Sequence, residues 1–213
     1  MTTIIAIDGP AAAGKGTLAR RLAAELGLDY LDTGLIYRAV GMKLARAGLD
    51  PAAVEQAERT ARDLSPADLD AADLRMDEAA QAASKVAVIP GVRAALLDFQ
   101  RRFASQPPGG RGAVLDGRDI GTVVCPDAPV KLFVTASLEK RAERRLKELQ
   151  EKGLDAIQST VLADMRERDD RDRNRSVAPL IPAGDAAVLD TSDLDADQAF
   201  AVALTLVRAR IPA

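Results

Sequence analysis

The chain contains no histidine, so the commonest general base, proton shuttle and metal ligand of proteins is missing. Serine–histidine and cysteine–histidine hydrolysis are thereby excluded, as are zinc sites built on histidine. Cys125 is the single cysteine, which rules out an intrachain disulfide, a Cys-x-x-Cys metal site and a dithiol redox pair. It reads as a small buried apolar side chain. Asparagine is also down to one, Asn174, and Arg175 follows it, so the Asn-Lys-x-Asp motif of a switch GTPase cannot occur; Asp-x-x-Gly is absent too. No basic leader precedes the short apolar run at the N-terminus, and no stretch approaches the ~18 uninterrupted apolar residues of a membrane span. These absences predict a soluble, cytoplasmic protein with no membrane partner. Excess basic charge is lacking as well: 29 Lys and Arg stand against 32 Asp and Glu, a net charge of −3, which argues against general nucleic-acid binding.

What is present suffices for a core. A chain of 213 residues with 47% apolar content buries roughly 70% of its unfolded surface on folding and needs no staples. Thr3 to Asp8 is apolar and rich in β-branched residues, and it reads as a buried parallel strand. The helical pattern after it carries Leu18, Leu22 and Leu26 and stops at Gly27. Further strands are predicted at 28–31, 113–116, 130–134 and 187–190, with mainly helical segments between them, so the expected fold is α/β with a five-stranded parallel sheet flanked by helices. Ser137 to Lys152 reads as a surface helix with Glu143–Lys147 and Glu148–Lys152 pairs. Leu49 to Ala83, broken by Pro51 and Pro66, reads as a small helical insert, and the charged stretch within Gly153 to Pro182 as a mobile lid. The expected division is a single domain with core 1–47, 91–149 and 179–213, an insert at 48–90 and a lid at 150–178.

The strongest motif is Gly9-Pro10-Ala11-Ala12-Ala13-Gly14-Lys15-Gly16-Thr17, set between predicted strand and predicted helix as a phosphate-binding loop requires. Small residues let successive backbone N–H groups turn inward around an anion, and the helix presents its positive end. Lys15 is placed to reach the β- and γ-phosphates of a nucleotide, and Thr17 to ligate Mg²⁺. The strict pattern has Ser or Thr directly after the lysine. Here Gly16 stands there and Thr17 comes one step later, the Gly-Lys-Gly-Thr variant associated with nucleoside monophosphate kinases. The three loop alanines, where related kinases often place glycine or serine, should be tolerated if their φ angles stay negative. Transfer of a phosphoryl group to an acceptor that is itself a phosphate needs no general base, so the missing histidine is no obstacle and arginines should carry the chemistry.

Two strand ends supply them. Asp32-Thr33-Gly34-Leu35-Ile36-Tyr37-Arg38 leaves a predicted strand for a helix at the sheet edge where α/β ligands bind, and Asp116-Gly117-Arg118-Asp119 repeats that geometry, with Asp116 placed as a magnesium-water ligand. Arg168, Arg171 and Arg175 lie at i, i+3 and i+7, one face of a helix that could close over the transferring group together with Lys15 and Arg118.

On these residues the chain resembles the bacterial cytidylate kinases nearly end to end. The likeness rests on Ile7-Asp8-Gly9-Pro10 with the lysine loop, Asp32-Thr33-Gly34 with Tyr37-Arg38, Ala82-Ala83-Ser84 with Val92-Arg93, Asp116 to Val124, and Glu167 to Arg175. The resemblance implies transfer of the ATP γ-phosphoryl group to CMP or dCMP with Mg²⁺; a monomer is expected because closure of insert and lid needs freedom, and the charge balance predicts no nucleic-acid partner. It assigns Ser84, Arg93 and Asp119 to the cytosine ring, Arg38, Arg118 and Arg175 to the acceptor phosphate, Arg168 and Asp172 to the sugar, and the Thr33 hydroxyl to the neighbourhood of the nucleotide phosphate. A carboxylate such as Asp119 suits cytosine independently, since it accepts from the exocyclic amine and repels uracil's oxygen. The alternatives are a small kinase of the shikimate or gluconate type, with Asp32 as base for a hydroxyl acceptor, and a nucleotide-binding switch module.

Overall fold

The computed structural model describes residues 3–211. Its strands are β1 (Thr3–Asp8), β2 (Asp29–Asp32), β3 (Gly112–Gly117), β4 (Val130–Thr135) and β5 (Ala187–Asp190), all parallel, in the order β2-β3-β1-β4-β5. The helices are α1 (Lys15–Leu26), α2 (Thr33–Arg46), α3 (Val54–Arg62), α4 (Asp77–Val86), α5 (Pro90–Ser105), α6 (Leu138–Glu151), α7 (Gln158–Asn174) and α8 (Ala196–Arg208). No helix of the described residues is long and apolar enough to cross a membrane.

The two-residue period of the strands sorts the core. Ile5, Ile7 and Val114 point into one layer with Leu18, Leu22, Ala203 and Val207 of α1 and α8. Ala6, Ala113 and Leu115 point into the opposite layer with Ala104 of α5 and with Ile120, Val124 and Cys125. Both faces are covered, which is why the strands read as apolar runs instead of alternating ones. Cys125 is buried as expected, and burial pushes its thiol up to about 11.

The first turn corrects the sequence reading by one residue. β2 covers 29–32, not 28–31, because Gly27 closes α1 in the left-handed conformation (φ 62°) and the Leu28 N–H still donates to the Ala23 carbonyl at 2.9 Å. Between α2 and α5 every regular element of the described residues is helical. α3 is followed by two short 3-10 turns, Pro66–Asp70 and Ala72–Arg75, and then α4. Ile36, Val40, Ala57, Ala61, Val86, Val92 and Leu96 give this part a core of its own, beside the sheet.

α6 begins where Ser137 accepts the Lys140 N–H at 3.2 Å. The Glu148–Lys152 pair forms at 2.6 Å, but Glu143 pairs with Lys140 and Lys147 with Glu151 in place of the expected Glu143–Lys147 contact. Exposed pairs of this kind differ by only tenths of a kcal/mol, so their register is weakly specified. α7 packs on α6 through Ala142, Leu149, Val161 and Met165. It ends at Asn174. Arg175 is extended (ψ 139°), and the chain turns back so that the Leu180 N–H meets the Asp172 carbonyl at 2.8 Å. Arg168 and Arg171 therefore lie on the helix, and Arg175 does not continue their face.

Candidate active site

The phosphate loop joins the end of β1, the central strand, to the start of α1. Gly9 has φ +146°, and a Cβ there would lie 1.9 Å from the Val134 carbonyl oxygen, so the loop leaves the sheet where no side chain fits. Gly14 (φ +88°) caps α1. The alanines do not all keep negative φ: Ala12 is left-handed at +57°. The inward turn of the loop amides demands that conformation, and the small alanine side chain pays only a modest strain for it.

Gly16 explains the variant motif. A Cβ on it would sit 3.3 Å from an Asp116 carboxylate oxygen, so a side chain here would press on Asp116. Thr17, one residue on, is exposed at the first turn of α1. Lys15 is buried and its Nζ donates to the Pro10 carbonyl at 2.8 Å. Burial, with Arg118 and Arg168 nearby, lowers its ammonium to about 7, against the pull of Asp116 and Asp32.

Asp32 and Asp116 are register partners at the ends of β2 and β3. Asp116 accepts from the Tyr30 hydroxyl at 2.8 Å, and burial together with the Asp32 charge holds its carboxyl above the usual range. Two carboxylates side by side at the ends of β2 and β3 are a donor set of hard oxygens suited to a divalent cation. Thr33 directs its hydroxyl proton to the Asp116 carbonyl at 2.8 Å, so it ties α2 to β3 instead of offering that proton to a phosphate.

Positive charge converges above this edge. Arg118 reaches Asp172 at 2.9 Å, and Arg38 lies 3.7 Å from Asp32. Arg168 is half-buried with its Nε enclosed and without a hydrogen-bond partner among the described residues, and its guanidinium is lowered to about 10 by loss of solvent and by Arg118, Arg38 and Arg145. Guanidinium groups that repel one another while enclosed, with a donor left over, form a site that an anion would relieve.

A second group lies behind it. Asp119 accepts from Arg93 Nη2, and from Arg175 Nη2 at 3.5 Å; Arg93 also donates to the Ala87 carbonyl at 3.3 Å. Arg175 Nε is anchored on the Ala178 carbonyl. The Tyr37 ring is part of the apolar cluster of α2 to α5, with the Arg93 guanidinium 5.6 Å from its centre. Ser84, on α4, is buried nearby and accepts from Arg171 Nε at 3.2 Å. The structure thus brings Ser84 together with Arg171, and Arg93 with Asp119 and Arg175. Arg171 turns towards α4, away from the loop.

Sequence reasoning missed several residues that hold this arrangement. Asp8 ends β1 and takes the N–H groups of Ile120 and Gly121, each at 2.7 Å, on its two oxygens. Those donors open a single π-turn, Ile120–Val124, which follows Asp119 directly. Burial raises the Asp8 carboxyl to about 6 in spite of them. Arg141, at the first turn of α6, is 2% exposed and clamps three parts of the chain: the Ala136 carbonyl, the Ala11 carbonyl of the loop, and Asp169 of α7. The only sequence signal for Asp8 was its place before Gly9, and Arg141 sat unmarked among arginines of a charged helix. A cleft of about 450 Å³ opens beside the clamp, lined by Ser137, Arg166, Asp170 and Arg173 among others.

The family model described as Cytidylate kinase matches residues 5–209. This chain belongs to the cytidylate kinase family. A protein of Paramagnetospirillum magneticum named Cytidylate kinase is 86% identical over 207 residues, covering 97% of this chain and 98% of that one. One of Granulibacter bethesdensis with the same name is 59% identical over 212 residues, covering both chains fully. Among solved structures, an uncharacterized protein from Eubacterium ventriosum shares the fold, with TM-score 0.58 and 16% identity over 98% of this chain and 100% of that one. Of the motifs on which the likeness rests, the lysine loop, Asp32 to Arg38 and Asp116 to Val124 follow the C-terminal ends of β1, β2 and β3, while Ser84 lies on α4, Arg93 on α5 and Glu167 to Asn174 on α7.

Proposed function

We propose that this chain transfers the γ-phosphoryl group of ATP to CMP or dCMP, giving CDP or dCDP and ADP. The observation that carries the reading is the enclosed Nε of Arg168, unpartnered among the described residues, with Arg118, Arg38 and Lys15 close enough to feel its charge. Such a cluster suits two phosphates brought together.

Lys15 and the amides of residues 9–17 would hold the donor's β- and γ-phosphates, and the cleft flanked by Arg141, Arg166 and Arg173 would take the rest of the donor. Mg²⁺, when bound, neutralises phosphate charge, and Thr17 with Asp116 are the residues that would hold it. Arg38, Arg118 and Arg175 would surround the acceptor phosphate, and Arg168 and Asp172 would meet the sugar. The donors of Arg38, Arg118 and Arg175 would spread over phosphate oxygens as charge shifts during an in-line displacement. The acceptor phosphate is already ionised, so no group in the site has to remove a proton. Asp119 would accept from the cytosine amine, with Arg93 and Ser84 beside it; uracil presents an oxygen there and faces carboxylate repulsion in a buried setting. The segments 48–90 and 150–178 would close on the two substrates and exclude water, and a monomer leaves both free to move. Asp32, the base that a hydroxyl acceptor would need, is paired with Arg38 and neighbours Asp116. Neither that alternative nor a switch module is favoured by the family match.

The test is phosphorylation of CMP, dCMP, UMP, AMP and GMP side by side with ATP and Mg²⁺, with shikimate and gluconate as controls. Fast CMP and dCMP turnover with slow UMP is expected; turnover of a hydroxyl control alone would overturn the reading. Asp119→Ala should cost about 1–3 kcal/mol of cytosine discrimination, read from kcat/KM for CMP against UMP. Sedimentation equilibrium should give the chain mass, and twice that mass would exclude the monomer.

A further inference from the structure

Asp116 is held at two points, and both holds come from β2 and the turn that leaves it. Thr33 Oγ1 donates to its backbone carbonyl and Tyr30 Oη to its carboxylate oxygen Oδ2, each at 2.8 Å. The half-buried Tyr30 ring packs on the apolar layer of α1 and α8, with the Arg20 guanidinium 5.9 Å from its centre. The same Oδ2 lies against the lysine loop: a Cβ on Gly16 would come within 3.3 Å of it, with Arg20 Nη1 at 3.6 Å and the Tyr30 hydroxyl at 3.8 Å. Asp116 is 6% exposed, and Asp32 stands beside it in the sheet. Its other oxygen, Oδ1, takes no hydrogen bond among the described residues.

The two groups themselves settle the direction of this hydrogen bond. A phenol keeps its one proton at neutral pH, and an ionised carboxylate can only accept. The last torsion of an aspartate is soft and roughly two-fold, so a carboxylate without a partner turns easily. Beside Asp32, any turn that separates the two negative charges is favoured. A hydroxyl fixed by its packed ring removes that freedom. It keeps Oδ2 on the Gly16 side, and it leaves Oδ1 for a cation or for a water on that cation. Carboxylates that bind metal depend on such hydrogen-bond partners, whose loss typically costs about 10–100-fold in metal affinity or activity.

We infer that Tyr30 is a positioning residue for the cation site: by holding Asp116 Oδ2 against the lysine loop it keeps Oδ1 available to Mg²⁺. This rests on the reading that Thr17 and Asp116 hold the ion, and deepens it. Tyr30 acts only through Asp116, and the sequence shows it as no more than one residue of a short strand. The missing side chain at Gly16 belongs to the same arrangement, since it leaves room for Oδ2 between the loop and the tyrosine.

The experiment uses Mn²⁺ as the probe and compares the wild-type chain with Tyr30→Phe, Asp116→Asn and the double variant. The ion is titrated into each chain saturated with β,γ-imido-ATP, which is not turned over, and free Mn²⁺ is counted by electron paramagnetic resonance. Tyr30→Phe keeps the ring and removes only the hydroxyl. It should weaken Mn²⁺ binding about tenfold, with affinity for the metal-free analogue unchanged. In kinetics the Mg²⁺ concentration that gives half the maximal rate should rise by the same factor, and saturating Mg²⁺ should restore the wild-type kcat. In the Asp116→Asn background Tyr30→Phe should weaken Mn²⁺ no further, because the two act as one unit. Unchanged Mn²⁺ affinity in Tyr30→Phe, a lower kcat that Mg²⁺ does not restore, or additive effects in the double variant would overturn the inference. Wild-type Mn²⁺ affinity in Asp116→Asn would instead overturn the reading on which it rests. If Tyr30→Phe fails to fold by circular dichroism, the tyrosine absorption decides, since Tyr30 and Tyr37 are the only tyrosines and the chain has no tryptophan. Adding Mg²⁺ to the analogue-saturated wild-type chain should shift its near-ultraviolet band, and the shift should be lost in Asp116→Asn; a band that Mg²⁺ leaves unmoved counts against the inference.

Discussion

Arg141 and Asp169 meet as a two-point pair, Nη1 to Oδ1 at 3.1 Å and Nη2 to Oδ2 at 2.7 Å, and both side chains are almost wholly enclosed. The same guanidinium donates to the Ala11 carbonyl of the phosphate loop at 3.3 Å. Helix α7 is thus tied to the loop through one arginine.

Removing the acid should leave a buried charge without its partner. Asp169→Ala is expected to lower stability by about 3–5 kcal/mol, measured by urea unfolding, and to raise the KM for ATP more than that for CMP, since the loop loses its brace. Equal effects on both KM values would separate Arg141 from the donor side.

The lowered ammonium of Lys15 gives a pH dependence of known sign. With its value near 7 in the folded chain, the lysine is largely neutral above that pH, whereas a bound triphosphate favours the charged form. Nucleotide binding should therefore take up a proton between pH 7 and 9, and affinity should fall as pH rises, by at most about tenfold per unit. The unfolded chain holds the proton up to the ordinary lysine range, so unliganded stability contributed by this group rises with pH over the same interval. Calorimetry in buffers of different ionisation heat reads the uptake directly. Lys15→Met should abolish both the uptake and turnover while leaving the circular dichroism spectrum intact.

Asp8 offers a test that shape alone would not pass. Its two oxygens accept from two backbone N–H groups, and Asp8→Asn keeps the outline but turns an amide N–H₂ towards one of them. A loss of about 1–3 kcal/mol is expected, seen in chemical denaturation. The KM for CMP should rise with it, because Asp119 directly precedes Ile120.

At Ala12 the left-handed backbone is a small reserve of strain. Ala12→Gly should relieve about 1–2 kcal/mol and give back part of it as unfolded-chain entropy. The net expectation is a gain in Tm of about 2–4 °C. A lower Tm would show that the alanine methyl contributes packing that outweighs the strain.

Much of this arrangement was legible before any coordinates, and the reasons are local. The lysine loop is contiguous, the strands are buried on both faces and so are continuous apolar runs, and Gly27 and Ser137 mark helix ends by their own chemistry. What escaped was set by contacts between distant segments. Nothing near Arg141 in the sequence announces Ala11 or Asp169, 130 and 28 residues away. α7 stops at Asn174 because the Leu180 N–H returns to Asp172, which a charge pattern alone cannot reveal. Ala12 is left-handed because an anion nest requires it, against the preference of its own side chain. Thr33 was placed at the right strand end, but the direction of its hydroxyl depended on the Asp116 carbonyl of a neighbouring strand.

The strand order also governs how the chain can assemble. β1 lies between β3 and β4, and its partners begin at Gly112 and Val130, so Thr3 must wait for a segment more than one hundred residues later. During synthesis the lysine loop emerges early, but the strand that carries it has no neighbour on either side until more than half of the chain has been made. Helices α2 to α5, with their own apolar cluster, are therefore in place to fold while β1 is still unpaired. The phosphate site comes last, as a product of long-range closure, and chains truncated before β4 should expose an apolar strand that invites aggregation.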